Sequence, residues 1–301
     1  MKIVFVNWTE PFKHRKKFKG HKKDITNHSS AGKSYNLPEY EILIQKLAFK
    51  NAKKYLNLPI IMYTDYEGLG FYQDNDMVKY FDYIDVNVLE DLNESNIDPS
   101  VFWTSGKVHA ICNEKEPSIF IDLDFIVKEN LPASFLEYDL VCPHWEITRR
   151  KFHLDTFQTK FMSFKRYNDC LDMLMPNTSF LYIKDYKIKQ KYLELHKKIV
   201  NKRYKKHPEW LWLIPDQHVL GFAIRDLNSN VTALEDKAFI QYPEDTKFKD
   251  TPGFTPRWVW LNKDYKMTMD YYHVWFDKIG LKLNKPYREQ QMELWKKELD
   301  M

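Results

Sequence analysis

Short apolar runs alternate along the chain with longer stretches whose apolar residues recur at helical spacing. "KIVFVN" (2–7) reads as a buried strand. Across 37–57, Tyr40, Leu43, Ile44 and Leu47 repeat at intervals of three and four, which predicts a helix ending before Pro59. "PIIMYTD" (59–65) is a second strand that closes on polar residues, and "FDYIDVNVL" (81–89) alternates as a third strand would. Asp98 followed by Pro99 gives a helix cap and a first-turn proline, predicting a helix over 99–115 that stops at Pro117. "SIFID" (118–122), "YDLVCP" (138–143) and "TSFLYIKD" (178–185) read as strands, and helices are expected at 185–203 and 215–226. From Pro243 the chain is rich in Pro, Trp and Tyr, and it closes on a helical pattern, "REQQMELWKKELD" (288–300).

Strands alternating with helices predict an α/β fold: a Rossmann-type mixed, mostly parallel sheet flanked by helices, in a single large domain. Residues 1–242 would form its body, and 243–301 an aromatic-rich segment and helix packed on the same domain. Ligands of such sheets bind at the carboxyl ends of the strands. Those ends read Asn7-Trp8-Thr9, Tyr63-Thr64-Asp65, Asp122-Leu123-Asp124 and His144-Trp145, so polar and aromatic groups are expected along one edge.

One end is chemically odd. In "SIFIDLDFIVKENLP" (118–132) an apolar run is broken by Asp122 and Asp124 alone. Positions two apart share a strand face, so two carboxylates point the same way where one alone is costly to bury and two repel. Local turn and cap bonds would account for them singly. A hard divalent cation, Mn²⁺ or Mg²⁺, held by both carboxylates and by substrate phosphates cancels burial cost and repulsion together.

Composition narrows the classes. Hydrophobic residues are 44% and charged residues 29%, ordinary for a globular chain, and aromatics at 16% with only 8 glycines give a stiff, ring-rich one. Most rings serve the core, and exposed ones suit flat ligands. A net charge of +4 does not indicate a specific nucleic-acid partner. The charge is clustered in "KHRKKFKGHKK" (13–23), which reads as a solvated basic loop or a flap over an anionic substrate or membrane surface. Three cysteines without CxxC, no signal-peptide pattern and no apolar span of about 20 residues predict a cytoplasmic protein without a transmembrane segment, with peripheral membrane contact through 13–23 open. Four N-x-S/T sequons, at Asn7, Asn27, Asn93 and Asn177, then read as chance. "AGKS" (31–34) ends like a P-loop but lacks its first glycine, Asn27 standing there, and no strand precedes it.

"FWTSGKVHAICNEKEPSIFIDLDFIV" resembles the core of GT-A-fold glycosyltransferases, in which a helix bearing a basic residue leads into an apolar strand ending in Asp-x-Asp. The resemblance implies that Asp122 and Asp124 hold a divalent metal on the diphosphate of a sugar nucleotide, with Lys107 facing the donor. "PNTSFLYIKD" (176–185) resembles the Asn-Ser-Gly element of retaining, glycogenin-like members. This implies that Asn177 faces donor sugar and acceptor, although the family's glycine is missing here. "IPDQHVLGFAI" (214–224) resembles the Asp-Gln helix start near the anomeric carbon, implying Asp216 and Gln217. "YYHVWFDK" (271–278) resembles the C-terminal segment with a third metal ligand and a phosphate-binding lysine, implying His273 and Lys278, at a spacing one residue shorter and without the glycine between them.

The resulting expectation is a GT-A-like, metal-dependent, hexosyltransferase-type glycosyltransferase, retaining rather than inverting. Its donor would be a nucleotide diphosphate sugar, a UDP-sugar first, and its acceptor a glycan, a lipid-linked sugar or a protein. Asn7, Trp8, Tyr63, Thr64 and Asp65 would line the nucleotide, with the base near Trp8 and Tyr63. Two alternatives remain: a sugar-nucleotide nucleotidyltransferase, which would normally carry a Gly-rich phosphate loop after its first strand, and a non-catalytic sugar- or nucleotide-binding protein of the same fold.

Overall fold

A computed structural model describes residues 1–14, 34–148, 174–201, 214–235, 237–241, 257–260, 270–274 and 278–301. The chain begins with β1 (Lys2–Asn7), a short helix α1 (Glu10–His14) and α2 (Glu39–Leu56). Asn57 closes α2 in a left-handed conformation (φ 49°), its N–H donating to the Lys53 carbonyl at 3.2 Å. Next come β2 (Ile60–Thr64), α3 (Tyr66–Asp74), β3 (Tyr83–Asp85), α4 (Asn87–Asn93) and α5 (Ser105–Asn113). The strands β4 (Ser118–Ile121), β5 (Phe125–Val127), β6 (Leu140–Cys142), β7 (Trp145–Thr148), β8 (Leu174–Pro176) and β9 (Phe180–Ile183) follow. Helix α6 (Tyr186–Val200), a wide π-helical turn (Ile214–His218) and α7 (Val219–Asp226) lead to β10 (Val231–Ala233), β11 (Lys237–Gln241), β12 (Arg257–Trp260) and β13 (Tyr271–His273). Helices α8 (Lys278–Leu283) and α9 (Lys285–Glu298) end the chain.

The main sheet has seven strands in the order β3-β2-β1-β4-β9-β6-β10. All neighbours are parallel except the two pairs made by β9, which runs against β4 and β6. This is the mixed, mostly parallel, helix-flanked sheet expected from the sequence. Its strands are apolar on both faces because both faces are covered. Ile3, Phe5, Ile119 and Ile121 join a core layer with α2 and α3, while Val4, Phe120, Leu181 and Ile183 join one with α5, α6 and α7. A four-stranded sheet (β12-β11-β7-β8) and the pair β13-β5 lie beside it. Helix α9 packs on α2, with Trp295 buried, Lys50 donating to the Glu298 carbonyl at 2.6 Å and Lys296 paired to Glu39 at 2.8 Å.

Two expected elements differ. The alternating run 81–89 keeps only three residues of strand, because the Asp85 carboxylate accepts the Val88 N–H at 3.1 Å and the chain turns into α4. The helix expected from Pro99 is a single turn, with Asp98 accepting from Ser100 N–H at 2.9 Å, and the continuous helix starts only at Ser105. An unforeseen helix, α3, is capped by Asp65, whose side chain accepts the Gly68 N–H at 2.9 Å.

Candidate metal centre and its surroundings

Because β9 is antiparallel to β4, Ile121 at the end of β4 pairs with Phe180 at the start of β9. Residues that follow β4 and residues that precede β9 therefore share one edge of the sheet. There the Asp122 N–H donates to the Ser179 carbonyl at 2.8 Å, and the Phe125 N–H to the Asp122 carbonyl at 3.0 Å, so 122–124 forms the corner between β4 and β5. Strand β13 pairs with β5 with His273 opposite Phe125, and the Val274 N–H donates to the Asp124 carbonyl at 3.0 Å. This backbone clamp delivers the imidazole to the carboxylates. One ligand atom from each of Asp122, Asp124 and His273 lies within 4.8 Å of the others, and His273 Nε2 is 3.7 Å from Asp124 Oδ1.

Lys107, on the first turns of α5, reaches the same corner. Its Nζ is 2.7 Å from Asp122 Oδ1, 3.1 Å from Thr178 Oγ1 and 5.0 Å from the centre of the Phe120 ring. Thr178 Oγ1 is in turn 3.0 Å from Asp216 Oδ2, and the Tyr192 hydroxyl donates to Asp216 Oδ1 at 2.9 Å. Burial pushes the Asp122 carboxyl up and Asp124 adds to it, while Lys107 opposes both. Burial works against the Lys107 ammonium, but Asp122, Asp216 and Asp124 together outweigh it and hold its pKa above the usual value.

Two carboxylates and one imidazole gathered at this corner could hold a divalent metal ion. Asp122 keeps 32% of its side-chain exposure and Asp124 15%, so both carboxylates are reached by solvent.

The other expected residues are placed as follows. Asn7 and Thr64 are register partners at the ends of β1 and β2, and Thr64 Oγ1 donates to the Asn7 carbonyl at 2.9 Å. Trp8 is nearly buried: its Nε1–H donates to Asn93 Oδ1 at 2.6 Å, and its side chain packs on Gly106. Tyr63 turns its hydroxyl away from this edge, donating to Glu114 Oε1 at 2.6 Å. Asp65, 1% exposed, accepts from Gly68 N–H and from both the N–H and hydroxyl of Thr9 (each 2.8 Å), which ties the β1–α1 connection to α3. Asn177 sits beside Thr178, with Nδ2 donating to Glu146 Oε1 at 2.6 Å and Oδ1 accepting from Ser179 N–H at 2.9 Å. His144 is buried and its carbonyl accepts from Asn177 N–H at 3.0 Å, while Trp145 packs on the core layer of α5–α7. Asp216 and Gln217 lie in the wide turn before α7, Asp216 buried and Gln217 half-buried. Lys278 opens α8, but its side chain lies outside the described residues, as does most of the basic run, 15–23.

Sequence reasoning missed Thr178, Tyr192, Glu146 and Gly106. Tyr192 reads as one more core ring of an amphipathic helix, and Thr178 was visible only as part of a weak motif. Gly106 leaves a trace, being one of just eight glycines: a Cβ there would lie 2.6 Å from Trp8 Cβ.

No family model and no curated protein matches the chain. Among solved structures it is similar to the PaToxG glycosyltransferase, at 12% identity and a TM-score of 0.42, covering 75% of this chain and 69% of that one. It is also similar to the glycosyltransferase GlyE of Streptococcus pneumoniae TIGR4, at 17% identity and a TM-score of 0.37, covering 78% of this chain and 45% of that one. A third likeness is to the galactosyltransferase LgtC in complex with donor and acceptor sugar analogues, at 14% identity and a TM-score of 0.38, covering 77% and 73%. Among the described residues no helix is long and apolar enough to cross a membrane.

Proposed function

We propose that the chain is a metal-dependent glycosyltransferase of the retaining kind, moving a sugar from a nucleotide diphosphate sugar, a UDP-sugar first, to a glycan, lipid-linked or protein acceptor. The observation that carries this reading is the convergence of Asp122, Asp124 and His273 at the strand-end corner where a basic side chain, Lys107, also arrives.

The three ligand residues would hold Mn²⁺ or Mg²⁺, which supplies Lewis-acid stabilisation of a departing diphosphate. Lys107 adds a fixed positive charge beside that leaving group, where preorganised charge lowers the barrier most. Lys278 is a further candidate for the phosphates. Asp216, held at both oxygens, would face the sugar as a hydrogen-bond acceptor, with Gln217 and Asn177 completing the polar floor. Each Asp216 oxygen already accepts a hydrogen bond from a protein hydroxyl, Thr178 on one side and Tyr192 on the other, so neither is free. That favours a same-face reaction, in which the leaving phosphate takes the acceptor proton, over an inverting one that needs a free carboxylate base. Asn7, Trp8 and Thr64 are the candidates nearest the nucleotide, along the same strand-end edge.

A ligand that binds only the folded state raises the melting temperature according to its concentration over Kd. A thermal-shift panel of UDP- and GDP-sugars with Mn²⁺ is expected to single out one nucleotide, with the shift lost in chelator. Equal shifts with and without chelator would remove the metal from this reading.

A further inference from the structure

We propose that Thr178 is a positioning residue that joins Lys107 and Asp216 into one mechanical unit, with Tyr192 as the second anchor of Asp216. The proposal deepens the glycosyltransferase reading and, for its kinetic part, rests on it.

Thr178 Oγ1 lies 3.1 Å from Lys107 Nζ and 3.0 Å from Asp216 Oδ2. An ammonium can only donate and a carboxylate can only accept, whereas a hydroxyl has one hydrogen and two lone pairs. The Thr178 hydroxyl must therefore accept from Lys107 and spend its single hydrogen on Asp216. Neither neighbour leaves it a second arrangement. Tyr192, fully buried, gives its only hydroxyl hydrogen to the other oxygen of Asp216 at 2.9 Å. Both carboxylate oxygens are thus pinned by hydroxyls whose direction is dictated, and the plane of the carboxylate is fixed.

Four elements far apart in sequence meet in this series: α5 brings Lys107, the lead-in to β9 brings Thr178, the wide turn brings Asp216 and α6 brings Tyr192. Its outer end is Asp122, 2.7 Å from Lys107 Nζ, and its inner end is core. Lys107 is 13% exposed at its side chain, and Thr178, Asp216 and Tyr192 are buried, so each bond acts in a low dielectric, where hydrogen bonds in series reinforce one another. A pull on Lys107 from a substrate diphosphate is therefore felt at Asp216 through one hydroxyl. Filling of the donor site and orientation of the group beneath the sugar become a single event.

The test compares Thr178→Val with Thr178→Ser, and Tyr192→Phe as an independent variant. Valine keeps the shape and loses both bonds, and serine keeps both. Thr178→Val, which loses two bonds, and Tyr192→Phe, which loses one, are each expected to lower kcat for donor turnover roughly ten- to hundred-fold, the range of buried hydrogen bonds to charged groups. The KM for the donor should stay within roughly two- to three-fold, and Thr178→Ser should restore most of kcat. Equal loss in Thr178→Ser and Thr178→Val, or unchanged kcat in Thr178→Val, would overturn the proposal. Chemical denaturation supplies a readout that needs no turnover. Lys107→Met and Asp216→Asn should be coupled in their effect on the unfolding midpoint in the Thr178 protein, and more weakly coupled in the Thr178→Val background, where only the direct attraction between the two charges remains. If the wild type releases no nucleoside diphosphate, the glycosyltransferase reading fails, and this cycle alone decides the coupling. Coupling of the same size in both backgrounds would refute it.

Discussion

Lys107 Nζ lies 2.7 Å from Asp122 Oδ1, so the carboxylate that would face a cation already carries a counter-charge. That pair explains how two acids two positions apart can close a buried strand before any cation arrives. It also sets up a competition, since a divalent ion and the ammonium repel across a short distance, a repulsion that solvent at the corner screens in part. Lys107→Met is therefore expected to tighten Mn²⁺ alone roughly five- to ten-fold while weakening the Mn²⁺–UDP complex, both read by titration calorimetry. Weaker binding of Mn²⁺ alone by the variant would contradict the arrangement.

His273 reaches the acids through backbone pairing of β13 with β5, not through its own side chain. His273→Ala should therefore leave the clamp in place and lower Mn²⁺ affinity by roughly ten-fold or more, as loss of one of three protein ligands would. Electron paramagnetic resonance titration of free Mn²⁺ measures the affinity, and circular dichroism checks that the fold persists. An unchanged affinity would exclude His273 as a ligand.

Helix α5 also carries a half-buried histidine. Burial, with Lys197 adding to it, pulls His109 down to about 4, and its ring lies 5.7 Å from that of His196. An unfolded histidine takes its proton near 6.5. The folded value is the lower one, so between these two pH values the unfolded state binds more protons. Stability then falls as the pH drops through the window, by about 2 to 3 kcal/mol at its lower end. His109→Leu should remove this share of the loss, seen as a smaller shift of the urea midpoint between pH 7 and pH 4.5 than in the wild type. Identical shifts would show that His109 is protonated in the folded protein.

Gly106 lies in the first turn of α5, where alanine would ordinarily gain up to about 1 kcal/mol of helix propensity. A Cβ at this position would sit 2.6 Å from Trp8 Cβ and 3.0 Å from Cγ, against an indole anchored by its bond to Asn93. Overpacking of this kind costs about 1 to 3 kcal/mol. The clash should win, so Gly106→Ala is expected to destabilise and to shift the tryptophan fluorescence. A stabilised Gly106→Ala protein would mean that Trp8 is not held against the helix.

How much of this could be read in the sequence follows from the range of each interaction. Asp122 and Asp124 stand out because a local rule, an apolar run, is broken twice. The shared edge is legible because parallel strands end together, and the expected polar ends of β1, β2 and β4 do lie along it. His273 could be named only by resemblance, since a three-residue strand in an aromatic segment has no period of its own and its partner lies far upstream. The bonds of Asp216 to Thr178 and Tyr192 are likewise products of tertiary packing. Over 81–89 the alternation is too short, and the bond from Val88 N–H to the Asp85 carboxylate goes with the turn into a helix. The packing of Trp8 on a glycine and the bond from Tyr63 to Glu114 are tertiary contacts that leave no mark at either position in the sequence.

The central claim is that the acids after β4 hold a cation that drives cleavage of a sugar nucleotide. Nucleoside diphosphate release from a panel of UDP- and GDP-sugars, with Mn²⁺ and with chelator, by the wild type and by Asp122→Asn and Asp124→Asn, tests it most directly. Release that requires Mn²⁺ and falls by roughly a hundred-fold or more in either variant is the expected result. Release that persists in chelator, or that survives both substitutions, would contradict it.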